Sequence, residues 1–216
     1  MLKIEDLDAR IERIRILHHV SLEVPAGTMC GLIGRNGAGK TTLMRSVMGL
    51  ATIAGGRVTI EGRDVTRLPG HARARLEVGY MPEDRRLVPE LTAAENILVP
   101  AWATERADAA ERLKWIYGLI PELPALADRK ALSLSGGQQK LVALARALMI
   151  GRRLALLDEP FEGIAPALAQ RLVEVLTDVK AHGLSILLSE SDYTHSEGLV
   201  DRVFVIERGA VAEKPH

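Results

Sequence analysis

The sequence predicts an α/β fold: a mostly parallel sheet flanked by helices, with an N-terminal antiparallel β-subdomain and an inserted helical subdomain. Three observations predict it. Short apolar runs alternate with helix-periodic segments toward both ends of the chain. A glycine-rich loop, residues 34–39, joins one such run to a helical pattern. From about residue 84 to residue 150 the strand signals stop and helical ones take over. The 216 residues suit one domain spanning 1–216, with a core over about 1–83 and 151–216 and an insertion over about 84–150.

Taken in order, residues 2–11 and 20–24 read as short strands. "TMCGLI" (28–33) is continuously apolar, as a strand buried on both faces requires. "KTTLMRSVMGL" (40–50) has helical spacing and ends near Gly49. "RVTI" (57–60) and "EVGYMP" (77–82) are strands, the second stopped by Pro82. Helices follow over 92–97, 106–120 and 135–150. Then "LALLD" (154–158) is a strand, 166–183 an amphipathic helix closed by Gly183, 184–189 and 202–207 strands, and 208–210 a turn. Strands alternating with helices call for right-handed crossovers and hence parallel pairing.

Composition bounds the function. Hydrophobic residues are 47% and aromatics 3%, so the core is aliphatic. Lys plus Arg equals Asp plus Glu at 28 each, which provides no global field for nucleic acid or an anionic membrane. The lone cysteine, Cys30, excludes an internal disulfide and is expected as a buried thiol in a reducing compartment. "MLKIEDLDAR" lacks the apolar core of a signal peptide, and no stretch approaches the roughly 20 apolar residues of a membrane span, so a soluble chain is expected.

Gly34-Arg35-Asn36-Gly37-Ala38-Gly39-Lys40-Thr41 follows the pattern G-x-x-x-x-G-K-[ST] between strand and helix. Glycines let backbone N–H groups turn inward, and the helix start adds unpaired amides and its dipole. This predicts a P-loop NTPase core in which Lys40 reaches the outer phosphates and Thr41 offers its hydroxyl to Mg²⁺, with Thr42 completing the loop. "LALLDEP" (154–160) brings Asp158 and Glu159 to the carboxyl end of a strand, where ligands of such sheets bind. Two carboxylates there are costly without a cation or a proton to transfer. Asp158 is the expected Mg²⁺ partner through water, and Glu159 the expected general base.

"LSLSGGQQKLVALARAL" from Leu132 is a helix capped by Ser135, yet Gly136 and Gly137 in its first turn each weaken it by up to about 1 kcal/mol. A second anion-binding helix start accounts for them better than structure alone. Leu134-Ser135-Gly136-Gly137-Gln138 resembles the signature motif of the ATP-binding cassette (ABC) ATPases, and the motif order agrees over nearly the whole chain. The resemblance implies a head-to-tail dimer with ATP between one chain's phosphate loop and the other's Ser135 and Gly137, and Gly136 and Gln138 beside them. "MPEDRRLVPELTAAENI" (81–97) and "LLDEPFEGIAP" (157–166) resemble the smaller ATPase subunit of branched-chain amino acid importers, whose relatives import urea or short amides. On that likeness Glu83 senses Mg²⁺ and links to the membrane subunit, and Ala165 replaces a dimer-contact aspartate. The implied partners are a second ATPase subunit, leaning to a longer sister rather than a second copy, transmembrane permease subunits and, indirectly, an extracytoplasmic solute-binding protein. The implied location is the cytoplasmic face of the membrane.

Two positions depart from the family. Ile11 falls where many cassettes stack adenine on an aromatic ring, which loosens base selectivity, and Ser191 falls where most have a switch histidine. His195 either swings toward that place or sits on an exposed helix face. Arg85 and Arg86 are solvated charges or contacts to a membrane subunit. Trp102, Trp115 and Tyr117 pack in the core or line a docking groove, and their clustering favours the groove. The rival functions are a non-transport cassette and a cassette whose hydrolysis has decayed; intact Lys40, Thr41, Asp158 and Glu159 count against the second.

Overall fold

The computed structural model describes residues 1–192 and 194–214. The chain runs β1 (Leu2–Ile11), β2 (Ile14–Val24), β3 (Met29–Ile33), α1 (Lys40–Val47), β4 (Thr52–Ile60), β5 (Arg63–Asp64), α2 (Gly70–Ala74), β6 (Val78–Met81), α3 (Ala93–Ala103), α4 (Ala109–Leu119), α5 (Gly136–Ile150), β7 (Leu154–Asp158), α6 (Pro166–Ala181), β8 (Ser185–Glu190), β9 (Arg202–Glu207) and β10 (Ala210–Lys214). One sheet is antiparallel, in the order β2-β1-β4-β5. The other has the order β10-β9-β3-β8-β7-β6 and is parallel except for its edge strand β10.

The period of two along each central strand divides the interior into two layers. Cys30, Leu32, Leu154, Leu156 and Leu187 face α1 and the antiparallel sheet, packing on Leu43, Met44 and Val47. Met29, Ala155, Leu157, Ile186 and Leu188 face the other way, onto α5 and α6. β7 and β8 are buried at every position, which is why they read as unbroken apolar runs. In β1, inward Leu2, Ile4, Leu7 and Ala9 alternate with more open residues, as in a sheet with one wet face.

Helix ends follow their capping chemistry. Thr92 and Ser135 each accept the amide of the residue three positions on, and Glu95 and Gln138 reach back to the cap amides, so both starts carry full capping boxes. Gly183, at φ 84°, closes the turn after α6 with its amide on the Lys180 carbonyl.

Several elements differ from expectation: β5 and α2 were not expected, α3 runs on to Ala103, and three further differences have a clear cause. β2 begins at Ile14 rather than 20, because "IRILHH" turns mostly exposed side chains outward and shows little apolar signal. β4 begins at Thr52 rather than 57, since pairing with β1 holds Gly55 and Gly56 in the ladder despite their poor strand propensity. The 208–210 turn leads into β10, an edge strand of mostly exposed residues that was not expected. The insertion also has no core of its own: Ile97, Ala101 and Ile116 join one apolar cluster with α5, α6 and the sheet.

α5 presses directly on β6. A Cβ at Gly79 would lie 2.1 Å from the Ala147 carbonyl oxygen, a backbone atom that cannot yield. Gly79→Ala is expected to destabilise the fold by about 1–3 kcal/mol or more, read as a lower urea midpoint. An unchanged midpoint would mean that the helix is not seated on the strand.

Candidate functional site

Three parallel strands deliver their carboxyl ends to one edge. β3 leads through the glycine loop into α1, β7 ends at Asp158-Glu159, and β8 ends at Glu190 beside Ser191. β8 lies between the other two, pairing Ile33 with Glu190 and Asp158 with Ser189. The phosphate loop and the acid pair therefore face each other across the end of β8.

In the loop, Gly37 and Gly39 take φ of 81° and 114°, which a side chain would resist. Among the described residues, the amides of Gly37, Gly39, Lys40 and Thr41 donate to no acceptor, although they sit at the start of a helix. That is a prepared anion cradle. Lys40 is 6% exposed. Its Nζ donates to the Gly34 carbonyl and to the Arg35 carbonyl at 3.1 Å, and lies 3.0 Å from Glu159 Oε1. A cleft of about 400 Å³ collects Ile11, Ile16, Asn36, Lys40, Thr41, Thr42, Glu83 and Glu159. Gly34, Arg35 and Ala38 border a separate hollow of about 440 Å³ against residues 205–208.

Asp158 is fully buried and Glu159 is 5% exposed. Ser189 Oγ donates to Asp158 Oδ1 at 2.7 Å and accepts the Glu159 amide at 3.2 Å. Burial raises the Asp158 carboxyl above its ordinary range, and hydroxyl hydrogen bonds from Ser189 and Thr41 oppose that rise. Glu83 is raised too, first by desolvation and then by Glu162, Asp158 and Glu159. Among the described residues no three His, Cys, Asp or Glu side chains form a metal cluster. The donor set at hand is Thr41, Asp158 and Glu83. It is all hard oxygen and incomplete, which fits Mg²⁺ completed by phosphate and water rather than a self-sufficient protein site.

Ser135, Gly136, Gly137 and Gln138 line neither hollow with the phosphate loop. Ser135 and Gly136 are exposed, and among the described residues the Gly136 and Gly137 amides donate to no acceptor. Gly137 has a packing reason as well, which corrects the purely anion-binding reading: a Cβ there would come 2.7 Å from Leu168 Cδ2. Lys140, one turn further on, donates to the Glu159 carbonyl at 2.9 Å and to the Glu162 carbonyl. Burial, then repulsion from Arg85, pulls this ammonium down to about 8.

Sequence reasoning missed Ser189, Lys140 and Ile16. Lys140 stood inside the quoted motif and Ile16 alternates with Ile14, but nothing local marks Ser189. Ser191 was a departure from a family pattern, whereas its Oγ lies 2.8 Å from Glu159 Oε1. Ile11 does line the cleft, 47% exposed. His195 sits in a turn, not on a helix, with its ring 5.5 Å from Phe161, beside the hollow that holds Glu159 and Ser191. Arg85 donates to Gln139 Oε1 at 3.1 Å, while Arg86 pairs with Asp84 at the surface. The expected aromatic groove does not form as a unit: Trp115 and Tyr117 pack on the core, Arg112 covers Trp115 at 3.8 Å, and Trp102 is 53% exposed. Cys30 is buried as expected.

The sequence matches the ABC transporter family over residues 17–162. The chain belongs to the ABC transporter family. It is an ATPase cassette, and cassettes of this family work as dimers with transmembrane permease subunits. The branched-chain amino acid transport ATP-binding protein BraG of Pseudomonas aeruginosa is 34% identical over 98% of this chain and 91% of that protein. The lipopolysaccharide export ATP-binding protein LptB of Acidithiobacillus ferridurans is 34% identical over 98% and 88%. The probable branched-chain amino acid transport protein LivF of Archaeoglobus fulgidus is 32% identical over 98% and 90%. A nucleotide-free ATP-binding cassette of an ABC transporter superposes with TM-score 0.85 at 28% identity, covering 99% of this chain and 90% of its own. No described helix of the cassette is long and apolar enough to cross a membrane.

Glu190 adds a pH signature. It is 4% exposed and accepts the Ser196 hydroxyl, and burial pushes its carboxyl up to about 7 from an ordinary 4.5. Between those values the folded chain binds the proton more tightly than the unfolded chain, so this group's contribution to stability declines as pH rises through the window. Relative to its parent, Glu190→Gln should gain about 1–3 kcal/mol between the low and high ends of that window in urea melts. Parallel pH curves would show that the group is not held protonated.

Proposed function

We propose that this cassette binds Mg-ATP at the Lys40 loop, hydrolyses it with Glu159 as general base, and drives uptake of branched-chain or other amino acids or related small polar solutes. The observation that carries the hydrolytic part is the buried Lys40–Glu159 contact at 3.0 Å, which puts base and phosphate-binding lysine at one locus. The free amides of Gly37, Gly39, Lys40 and Thr41 take the β- and γ-phosphates with the Lys40 ammonium, and Thr42 lines the same cleft. Thr41, Asp158 and Glu83 would hold Mg²⁺, which would supply positive charge beside the phosphates. Glu159 orients the attacking water and accepts its proton. Ile11 and Ile16 give the base an aliphatic surface.

Exposed Ser135 and the acceptor-free amides of Gly136 and Gly137 support a trans role, in which they close on the γ-phosphate held by a second ATPase subunit. Similarity to BraG and LivF, branched-chain amino acid transport ATP-binding proteins, supports amino-acid transport; import, a permease pair, a sister cassette, a solute-binding protein beyond the membrane and residence at the cytoplasmic face complete the proposal. Equal identity to LptB supports a second reading, an export-system cassette. Solute uptake into vesicles carrying the assembled complex separates the two, because an exporter would not accumulate amino acid.

Glu159→Gln should keep ATP binding and lose hydrolysis by about 10²–10⁴-fold, accumulating an ATP-bound dimer on gel filtration. Lys40→Ala should lose binding itself. Full turnover by Glu159→Gln would remove the base from the proposal.

A further inference from the structure

β8 ends between the two halves of the site, with Ser189 near its end and Ser191 just beyond it. Ser189 is tied to Asp158. Ser191 occupies a denser node. Its Oγ lies 2.8 Å from Glu159 Oε1, 2.8 Å from Asn36 Oδ1 and 3.4 Å from Lys40 Nζ. Its own amide donates to Glu159 Oε2 at 3.1 Å. One residue thus holds both oxygens of the carboxylate and touches the phosphate loop twice.

We propose that Ser191 is a positioning residue for Glu159, clamping its carboxylate with a hydroxyl on one oxygen and a backbone amide on the other. The inference rests on the reading of Glu159 as the base. A hydroxyl has one proton and here faces two acceptors; the carboxylate is the stronger, so the proton belongs to Glu159. The Asn36 amide then serves Ser191 through its NH₂ group, since oxygen and nitrogen exchange on a flip. The Glu159 main chain is already pinned, its amide by Ser189 and its carbonyl by Lys140, in a backbone conformation of φ 51°. What is left to rotate is the side chain. In the structure Lys40 also holds it. A γ-phosphate competes for Lys40, and the two Ser191 bonds are then the ones that keep the carboxylate aimed. They come from outside the loop that grips phosphate, so they survive the exchange.

The test uses the full-length chain, purified with whatever membrane partner accompanies it. It compares Ser191→Ala, Ser191→Thr, Glu159→Gln and the Ser191→Ala/Glu159→Gln double variant. Ser191→Ala is expected to lower kcat roughly 10–100-fold, from loss of a hydrogen bond to a charged group. KM and ATP affinity should stay within about two-fold, and the melting midpoint should fall by no more than a few degrees, the cost of one hydrogen bond to a buried charge. Ser191→Thr, which restores a hydroxyl, should recover most of the rate, and Ser191→Ala should cost nothing further in the Glu159→Gln background. A parental kcat in Ser191→Ala, while Glu159→Gln is impaired, overturns the proposal. So does a loss of ATP binding matching the loss of rate, or unfolding of the variant at the assay temperature, which marks a structural role. Parental turnover in Glu159→Gln overturns instead the reading of the base on which the proposal stands.

Discussion

The site depends on a charge pair taken out of water. Lys40 and Glu159 meet at 3.0 Å with side chains only 6% exposed each. Burying two charges is expensive, and their attraction offsets the cost only when the remaining hydrogen-bonding capacity is filled. Here it is filled. The ammonium has two main-chain carbonyls from its own loop, and the carboxylate has the Ser191 hydroxyl and amide. Removing one member of such a pair costs about 3–5 kcal/mol, because the other is left buried and uncompensated. The pair is therefore stable only while both partners stay, or while an incoming anion replaces one of them. On the proposed reading that condition would make the site receptive: a phosphate would offer Lys40 more charge than a carboxylate does, and would free Glu159 for a water.

Sheet order makes the pair possible. The phosphate loop leaves β3 and the acids leave β7, and β8 runs between these strands. A gap one strand wide is too large for direct backbone contact but suits two side chains meeting over the intervening strand end. The residues that finish β8 then become the floor of the site. Ser189 falls there by its pairing with Asp158, Ser191 follows just past the strand end, and Glu190, between them, turns away to Ser196.

This explains which parts were legible beforehand. The phosphate loop and the acid pair were readable because their chemistry is compressed into consecutive residues whose spacing is set by one strand-to-helix turn or one strand end. Buried strands β7 and β8 were readable because burial on both faces keeps residues 154–157 and 186–188 continuously apolar. The start of β2 and the first half of β4 were not, since the one presents mostly exposed residues and the other two glycines. Ser189 and Ser191 were illegible for a different reason. Each makes its decisive contact more than 30 residues away in sequence, with Asp158 and Glu159, and only strand order creates those contacts. Lys140 likewise looks like one more polar residue on a helix until β7 is laid beside that helix.

Lys140 also joins two ends of the molecule that spacing alone keeps separate. It sits one turn into α5, whose exposed start carries Ser135 and the two glycines, and its ammonium grips the carbonyls of Glu159 and Glu162. Lys140 is 3% exposed, and that burial is the main cause that pulls its ammonium down to about 8. A buried cation with two carbonyl partners is a stiff joint, because moving either partner strands a charge. Further along, α5 is locked to β6 where the Ala147 carbonyl meets Gly79. The helix thus spans from a solvent-facing start with two acceptor-free glycine amides, past the backbone of Glu159, to the edge strand β6 of the sheet. Whatever docks at its exposed end acts on a rigid rod already bonded to Glu159, so the two glycine-rich helix starts are mechanically connected within a single chain even though they do not share a cleft.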